Sequence, residues 1–316
     1  MTTMRAGSEA LSLTHASQNK LTKEQITQEV EKIRVRLLSQ FQSEPDKLDS
    51  LLKILDDLSE FELGRFLIKN KGALSGYWTW YIILGFNNSK VTSTLEKFIL
   101  EKSPVALATR ERFNIFQELL AKHIKSNSTV CSVPCGMMAD LLTLNLSAQI
   151  QEVRFVGIDI DKAVFDLAKD LSKQLRVDHR CDFFYKDAWN LDFENEFDII
   201  TTNGLNIYEK EDSRVVALYR GFYNALKVNG KLICSALTCP PMEEKESEYD
   251  LSQIDKANSL ATAEIFRTIL EATWANFRSS EKTCSQLKEA GFENIEIHWD
   301  TQKMFPTFIA EKRLSF

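Results

Sequence analysis

The stretch that decides the fold is TVCSVPCGMMADLLTLNLSAQIQEVRFVGIDID, residues 129–161. A short β-prone run ends at the turn residues 134–136, and a helical run rich in leucine follows. Residues 153–158 then predict a buried strand with Asp159 at its tip. A turn that leads into a helix, beside a carboxylate on the neighbouring strand, is typical of α/β sheets that hold a nucleoside-bearing cofactor.

The composition is that of a folded protein with room for one large domain or two ordinary ones. Of its 316 residues, 44% are hydrophobic and 27% are charged, with a net charge of −6. The acidic balance argues against a broad nucleic-acid surface, which needs clustered Lys and Arg. The apolar runs are far shorter than the ~18 residues of a membrane span, and the first residues lack the layout of a signal peptide. We therefore expect neither nucleic acid nor membrane as a partner.

Six cysteines are dispersed along the chain: Cys131, Cys135, Cys181, Cys234, Cys239 and Cys284. The first two have CxxxC spacing, but no second close pair or histidine partner completes a zinc set. We therefore predict no metal site. Small buried thiols are typical of a reducing compartment, which favours a cytoplasmic protein.

Three segments follow from the patterning. Residues 1–20 predict a flexible leader, residues 21–125 an α-helical N-terminal or lid region, and residues 126–316 an α/β domain. Within the helical region, the segment LSGYWTWYIILG places Tyr77, Trp78, Trp80 and Tyr81 between two glycines. These aromatic residues either fill the joint between two domains or form a mobile lid over a planar ligand.

The alternation of strands and helices continues to the C-terminus. Residues 181–185, 197–201 and 231–237 predict three further strands, with helices between them. Asn229-Gly230 predicts a turn before the last of these three strands. Residues 295–299 and 305–310 then predict a hairpin-like pair of strands.

From residue 129 onward, about the final three-fifths of the chain, the sequence resembles the class I S-adenosylmethionine-dependent methyltransferases. The matching landmarks are CSVPCGMMADLL, VGIDID, KDAW, FDIITTNG and LKVNGKLICSAL, in that order. The resemblance implies a seven-stranded Rossmann-like sheet, with five parallel units and an antiparallel final strand. It also implies S-adenosylmethionine as the cofactor and methyl transfer as the reaction.

The resemblance assigns roles to matching positions. Asp159 would accept both ribose hydroxyls, a bidentate role suited to a carboxylate at a strand tip. Asp187 would take the adenine amino group, and the Ala188 N–H would face a ring nitrogen. Ile160 and Trp189 would lie on the two sides of the base.

The methionine end of the cofactor would lie near the first loop. Pro134, Cys135 and Gly136 would contact it, with backbone N–H groups of the turn and helix start facing its carboxylate. The amide of Asn203, at the tip of the fourth strand, would face its amino end and the reaction centre.

The first loop departs from the family's pattern of an acid followed by G-x-G-x-G. Ser132 replaces the acid, Pro134 the first glycine and Met138 the third. The acid that grips the cofactor's ammonium is therefore missing, which leaves the carboxylate of some other residue, a carbonyl or water for that role. Arg112 or Arg110, on the preceding helix, is a candidate for the cofactor's carboxylate.

The sequence favours a small, planar or aromatic acceptor under an α-helical lid, while the acceptor atom and the oligomeric state stay open. Candidates for a catalytic role are Asn203, Tyr208 and Tyr77, although methyl transfer depends mainly on alignment and desolvation. Two alternatives remain. One is an inactive methyltransferase-fold binding or sensor protein, suggested by the degenerate loop. The other is an NAD(P)-binding Rossmann oxidoreductase, for which GxGxxG is absent.

Overall fold

Seven strands form one mixed sheet in the order β3-β2-β1-β4-β5-β7-β6. The computed structural model describes residues 23–88, 90–243, 247–272, 274 and 276–313, so the predicted leader lies outside the described residues. The strands are β1 (Thr129–Ser132), β2 (Arg154–Asp159), β3 (Cys181–Tyr185), β4 (Phe197–Thr202), β5 (Leu226–Ser235), β6 (Phe292–His298) and β7 (Thr307–Lys312). Strands β1 to β5 pair in parallel, and β7 runs antiparallel between β5 and β6. The predicted fold class is confirmed.

Strand β1 lies inside the sheet, between β2 and β4. Its residues are mostly buried, as expected for a parallel strand covered on both faces. In the parallel register, Ser132 pairs with Gly157 on one side and with Thr201 on the other. The carboxyl ends of β1, β2 and β4 therefore meet at one edge, which brings the predicted site residues together.

Among the described residues, six α-helices precede β1 and five follow it, together with one π-helical segment. The first six are α1 (Lys23–Gln40), α2 (Pro45–Ser59), α3 (Glu62–Lys69), α4 (Gly76–Ile83), α5 (Thr94–Glu101) and α6 (Pro104–His123). The others are α7 (Ala139–Leu142), α8 (Lys162–Gln174), α9 (Asp212–Ala225), α10 (Lys256–Ala263) and α11 (Ser280–Glu289), and the π-helix is Glu264–Ile269.

Two local predictions differ from the structure. The helix after the first loop, α7, has only 4 residues. The turn predicted at Asn229-Gly230 lies within β5 rather than before it, because the strand begins at Leu226 and its pairing with β4 is irregular there. Asn229 has a φ of 63°, so the local turn tendency is expressed as an irregularity in the strand.

The N-terminal helices pack on the sheet as part of one apolar core. The largest cluster of buried side chains joins Leu37 and Leu55 of the first two helices to Ile199, Ile233 and Ile309 of the sheet. A second cluster fills the opposite face, where α9 and α11 pack. The helices α1 to α6 therefore share one apolar core with the sheet.

Candidate active site

The loop between β1 and α7 is held by hydrogen bonds to its neighbours. Gly136 has a φ of 48° and the Val133–Pro134 peptide bond is cis. Four loop N–H groups donate within the protein: Val133 to Thr201 O (2.9 Å), Cys135 to Ile158 O (2.8 Å), Gly136 to Asp159 Oδ2 (2.8 Å) and Met138 to Cys135 O (2.6 Å). The prediction that the N–H groups of this turn face the cofactor's carboxylate is wrong for these four, because their donors are already used.

Asp159 ends β2 and is fixed by the same loop. Its carboxylate accepts the N–H of Gly136 at 2.8 Å and the N–H of Asp161 at 2.9 Å. The residue is 9% exposed, and burial raises the pKa of its carboxyl while these two N–H groups lower it. Two donors orient the carboxylate and leave part of its acceptor capacity for a ligand, since an ionised carboxylate has about four lone-pair sites.

Asp140 is a site residue that the sequence did not single out. Its carboxylate accepts the Ser132 hydroxyl, with Oγ 3.1 Å from Oδ1 and 3.0 Å from Oδ2. The Thr201 hydroxyl donates to Oδ2 at 2.6 Å. Burial raises the pKa of Asp140, and the two hydroxyls lower it. The sequence did contain one signal for it, because Asp140 is the first acidic residue after a loop in which the family's usual acid is missing.

A cavity of about 450 Å³ opens over these strand tips, a size typical of small-ligand sites. Its roof comes from α4, α5, α6 and the π-helix. Eight of the predicted site residues line it: Arg112, Ser132, Pro134, Cys135, Gly136, Asp159, Asn203 and Tyr208. Aromatic side chains form much of the remaining wall: Trp80, Phe113, Phe266, Trp274 and Phe305. The structure thus gathers most of the predicted site around one apolar chamber with a polar floor.

Helix α4 rests directly on the first loop. A Cβ atom placed on Gly76 would lie 2.5 Å from the Cα of Gly136 and 3.2 Å from Cγ1 of Val164. No side chain longer than hydrogen fits between the two glycines, so their backbones approach closely. This contact closes one side of the cavity.

The aromatic segment of α4 is mostly a packing element. Tyr77, Trp78, Trp80 and Tyr81 are each less than a tenth exposed, and their ring centroids lie 5.0–6.4 Å apart in the neighbouring pairs. Of the four, Trp80 lines the cavity. Tyr77 lies outside the lining, and burial, with a smaller contribution from the charge of Glu62, raises its pKa to about 12. The structure thus does not bring Tyr77 together with the other two catalytic candidates, and its role stays a prediction.

The other two catalytic candidates do line the cavity. The amide oxygen of Asn203 accepts the hydroxyl of Ser235 at 3.1 Å, which leaves its NH₂ group as a donor. Tyr208 is 45% exposed as a residue, but its hydroxyl lies inward, where burial raises its pKa and the backbone of Leu74 lowers it. Tyr208 is therefore protonated at neutral pH and suited to donating a hydrogen bond.

The two predicted arginines of α6 differ in their surroundings. Arg110 Nε donates to Ile82 O at 3.0 Å and its guanidinium also bonds Leu100 O, so it joins three helices. Arg112 is 7% exposed and lies over the Phe305 ring at 4.3 Å. Its Nε has no hydrogen-bond partner among the described residues, and burial lowers its pKa to about 10. Of the two, Arg112 is the cation available to a ligand.

The residues predicted to surround the adenine lie beyond the cavity lining, at the tips of β2 and β3. Ile160 is 65% exposed. Asp187 accepts the Trp189 N–H at 3.0 Å, and the Trp189 indole donates to Arg214 O at 3.2 Å. Ala188 is buried in this turn. Their contact with the base stays a prediction.

All six cysteines are free thiols, and burial raises the pKa of both Cys131 and Cys135. Within the described ranges, no group of three or more His, Cys, Asp and Glu side chains could hold a metal ion. In the same part of the chain, no helix has the length and apolar character to cross a membrane.

Comparison with known proteins gives three kinds of similarity. Residues 130–230 match the sequence model of a methyltransferase domain. A protein from Bordetella parapertussis, described as a possible exported protein, is 35% identical over 92% of this chain and 96% of its own, with a TM-score of 0.87. The carboxy-S-adenosyl-L-methionine synthase of Actinobacillus pleuropneumoniae is 24% identical over 198 residues, 61% of this chain and 80% of that enzyme.

A fourth comparison concerns the fold alone. The apo structure of the S-adenosylmethionine-dependent methyltransferase SibL is 13% identical, covers 84% of this chain and 76% of its own, and has a TM-score of 0.52. The matched domain spans β1 to the middle of β5, where the loop, Asp159 and Asn203 are found. Together with the sheet order, these matches show that residues 130–230 are a methyltransferase domain on the Rossmann-like sheet of the class I S-adenosylmethionine-dependent methyltransferases, a family whose cofactor is S-adenosylmethionine.

Proposed function

We propose that this protein transfers a methyl group from S-adenosylmethionine to a small, planar or aromatic molecule held under the roof formed by α4 and α6. The observation that carries the proposal is the roofed cavity itself. Its floor presents Asp159 and Asn203 at the tips of β2 and β4, on either side of β1, and its walls are largely apolar. A protein or nucleic-acid acceptor needs a more open face, so a small molecule fits this chamber best.

The residues on the floor fit the cofactor by their chemistry. Asp159 has a carboxylate with acceptor capacity left for the two ribose hydroxyls. Pro134, Cys135 and Gly136 form the surface along which the methionine chain would lie. Arg112 offers a buried guanidinium without a hydrogen-bond partner at Nε, which suits a carboxylate. When bound, the cofactor supplies an activated methyl group on a positively charged sulfur.

The chain's own contribution is alignment and exclusion of water. The roof helices shield the reaction centre, which strengthens electrostatic contacts and prevents hydrolysis. Asn203 and Tyr208 can each donate a hydrogen bond to the acceptor and hold its reactive atom in line. A raised pKa argues against Tyr208 as a proton acceptor at neutral pH.

The proposed shape of the acceptor rests on the cavity walls. Trp80 lies on one side of the chamber, with Phe113 and Phe305 among its other lining residues. Aromatic side chains favour flat apolar ligands, through offset stacking and edge contacts. The proposed role of α4 as a lid therefore rests on Trp80 and Gly76, which line the cavity, rather than on all four aromatic residues.

Two measurements test the proposed function. Calorimetry should show binding of S-adenosylmethionine and S-adenosylhomocysteine to the full chain, and a protein that binds neither is not a methyltransferase. Incubation with a small-molecule extract and S-adenosylmethionine should then release S-adenosylhomocysteine. Binding without any release, across extracts fractionated by polarity, would favour the alternative of a sensor protein.

The role of Arg112 gives a prediction of its own. We expect Arg112→Met to weaken S-adenosylmethionine binding by about tenfold, because a charge-assisted hydrogen bond to the carboxylate contributes about 1.5–3 kcal/mol. Decarboxylated S-adenosylmethionine lacks this group, so the variant and the wild type should bind it equally in calorimetry. A matched loss for both ligands would show that Arg112 acts by shaping the cavity.

We also propose a cytoplasmic location. All six cysteines are free, which fits a reducing compartment, and five of them are in the first two apolar clusters or packed against them. Fractionation of cells that produce the protein, with blotting of each fraction, tests this directly.

A further inference from the structure

The floor of the cavity contains a half-buried carboxylate that lacks a cation. Asp140 is bonded by the hydroxyls of Ser132 and Thr201, at 3.0 and 2.6 Å. No Lys, Arg or His forms an ion pair with it in the described part of the chain, and no positive charge contributes to its pKa. Withdrawing an anion from water is costly when only neutral donors satisfy it, so such a group is a natural partner for a cationic ligand.

The position of this carboxylate is informative. Ser132 stands where the family pattern has an acid, at the tip of β1, and its hydroxyl donates to both oxygens of Asp140. The carboxylate of Asp140 is therefore hydrogen-bonded to the residue that stands where the family pattern has its acid. Thr201, paired with Ser132 across the sheet, holds it from the other side.

A second observation points to the same ligand. Arg112 lines the same cavity and its Nε lacks a hydrogen-bond partner among the described residues. Of the three carboxylates that line the cavity, Asp159 is assigned to the ribose and Asp161 caps α8. Asp140 and the guanidinium of Arg112, neither ion-paired within the described chain, are left for a ligand group that carries both charges. The α-ammonium and α-carboxylate of an amino acid are such a group.

We propose that Asp140 binds the α-ammonium of the cofactor's methionine portion, and so replaces the acid that Ser132 has displaced from the tip of β1. The proposal rests on the proposed function, because it requires the cofactor to lie on this floor. The acid lies at the start of α7 rather than on the strand, and the hydroxyls of Ser132 and Thr201 hold its carboxylate beside the strand tip. Asp140 is in this sense a binding residue rather than a structural one.

Moving the acid back to the strand tests the proposal. Calorimetry compares four proteins: the wild type, Asp140→Asn, the double variant Ser132→Asp/Asp140→Asn, and Asp161→Asn as a control. Asp161 also lines the cavity, but its carboxylate caps the N–H of Ala163 at 3.0 Å, a role that asparagine can fill. The two probes are S-adenosylhomocysteine and 5′-methylthioadenosine, which keeps the adenosine and the sulfur but lacks the amino-acid group.

We expect Asp140→Asn to bind S-adenosylhomocysteine about tenfold more weakly, because the ligand's ammonium loses its negatively charged partner. Its affinity for 5′-methylthioadenosine should match the wild type, which also shows that the variant folds. The double variant should regain most of the lost affinity, because it restores a carboxylate beside the same site. Asp161→Asn should behave as the wild type with both probes.

Three results would overturn the proposal: unchanged S-adenosylhomocysteine binding in Asp140→Asn, an equal loss for both probes, or a double variant no better than the single one. Each of these leaves the proposed function standing, provided that the wild type binds both probes. A wild type that binds neither probe refutes the proposed function as well as the role of Asp140.

Discussion

Replacing Asp159 with alanine should weaken binding of S-adenosylhomocysteine by about 100-fold or more, equivalent to about 2.7 kcal/mol. Truncating a buried, hydrogen-bonded charge costs about 2–5 kcal/mol in binding. The carboxylate would lose both ribose contacts, and the N–H groups of Gly136 and Asp161 would lose their acceptor at the same time. Calorimetry on the full chain measures the change directly.

Asp182→Ala is a suitable control for that loss. Asp182 lies on the neighbouring strand β3 and forms an exposed ion pair with Arg154 at 2.7 Å. Exposed pairs contribute about 0–1 kcal/mol to stability, so this variant should fold and bind as the wild type does. If the affinity of Asp159→Ala for S-adenosylhomocysteine were within threefold of that of the control, Asp159 would not be a binding residue of this site.

The second large effect is expected at Gly76, where the roof touches the loop. Gly76→Ala places a methyl group 2.5 Å from the Cα of Gly136, and Gly136 is held by its bond to Asp159. Overpacking of this kind costs about 1–3 kcal/mol. We expect the free energy of unfolding, measured in denaturant, to fall by that amount, and S-adenosylhomocysteine binding to weaken as α4 is pushed from the loop.

Gly221 offers the matched substitution. It lies within α9, and a Cβ atom there would meet nothing within 4 Å. Alanine is favoured over glycine in a helix by about 0.5–1 kcal/mol, so Gly221→Ala should raise the free energy of unfolding. Two Gly→Ala changes should thus act in opposite directions. A free energy of unfolding for Gly76→Ala that is equal to or higher than that of the wild type would mean that α4 does not rest on the loop.

The sheet was predictable because its information is local. Buried parallel strands appear as short apolar runs, and the acid at the tip of β2 follows its strand directly. Each unit of the α/β domain therefore has a recognisable sequence, and Asp159 could be placed at the carboxyl edge before any coordinates. The final strand pair was predicted from its alternation for the same reason.

The parts of the site that escaped prediction depend on residues distant in sequence. Asp140 gains its role from Thr201, 61 residues later, because β4 lies beside β1 in the sheet. Arg110 and Arg112 are two residues apart on one helix and face different neighbours, and only the packing of α4 and α5 shows which of them is already bonded. The contact of Gly76 with Gly136 is likewise a tertiary one that no periodicity encodes.

The shared core of roof and sheet bears on how this chain can be divided. A fragment that begins near residue 126 would lose the helices whose buried side chains, such as Leu37 and Leu55, share an apolar core with the sheet. Apolar surface costs about 25 cal/mol for each Å² left in water, so the fragment should aggregate rather than fold. The predicted boundary at residue 125 rests on sequence patterning, whereas the shared core leads us to expect that the chain from α1 to β7 unfolds as one cooperative unit.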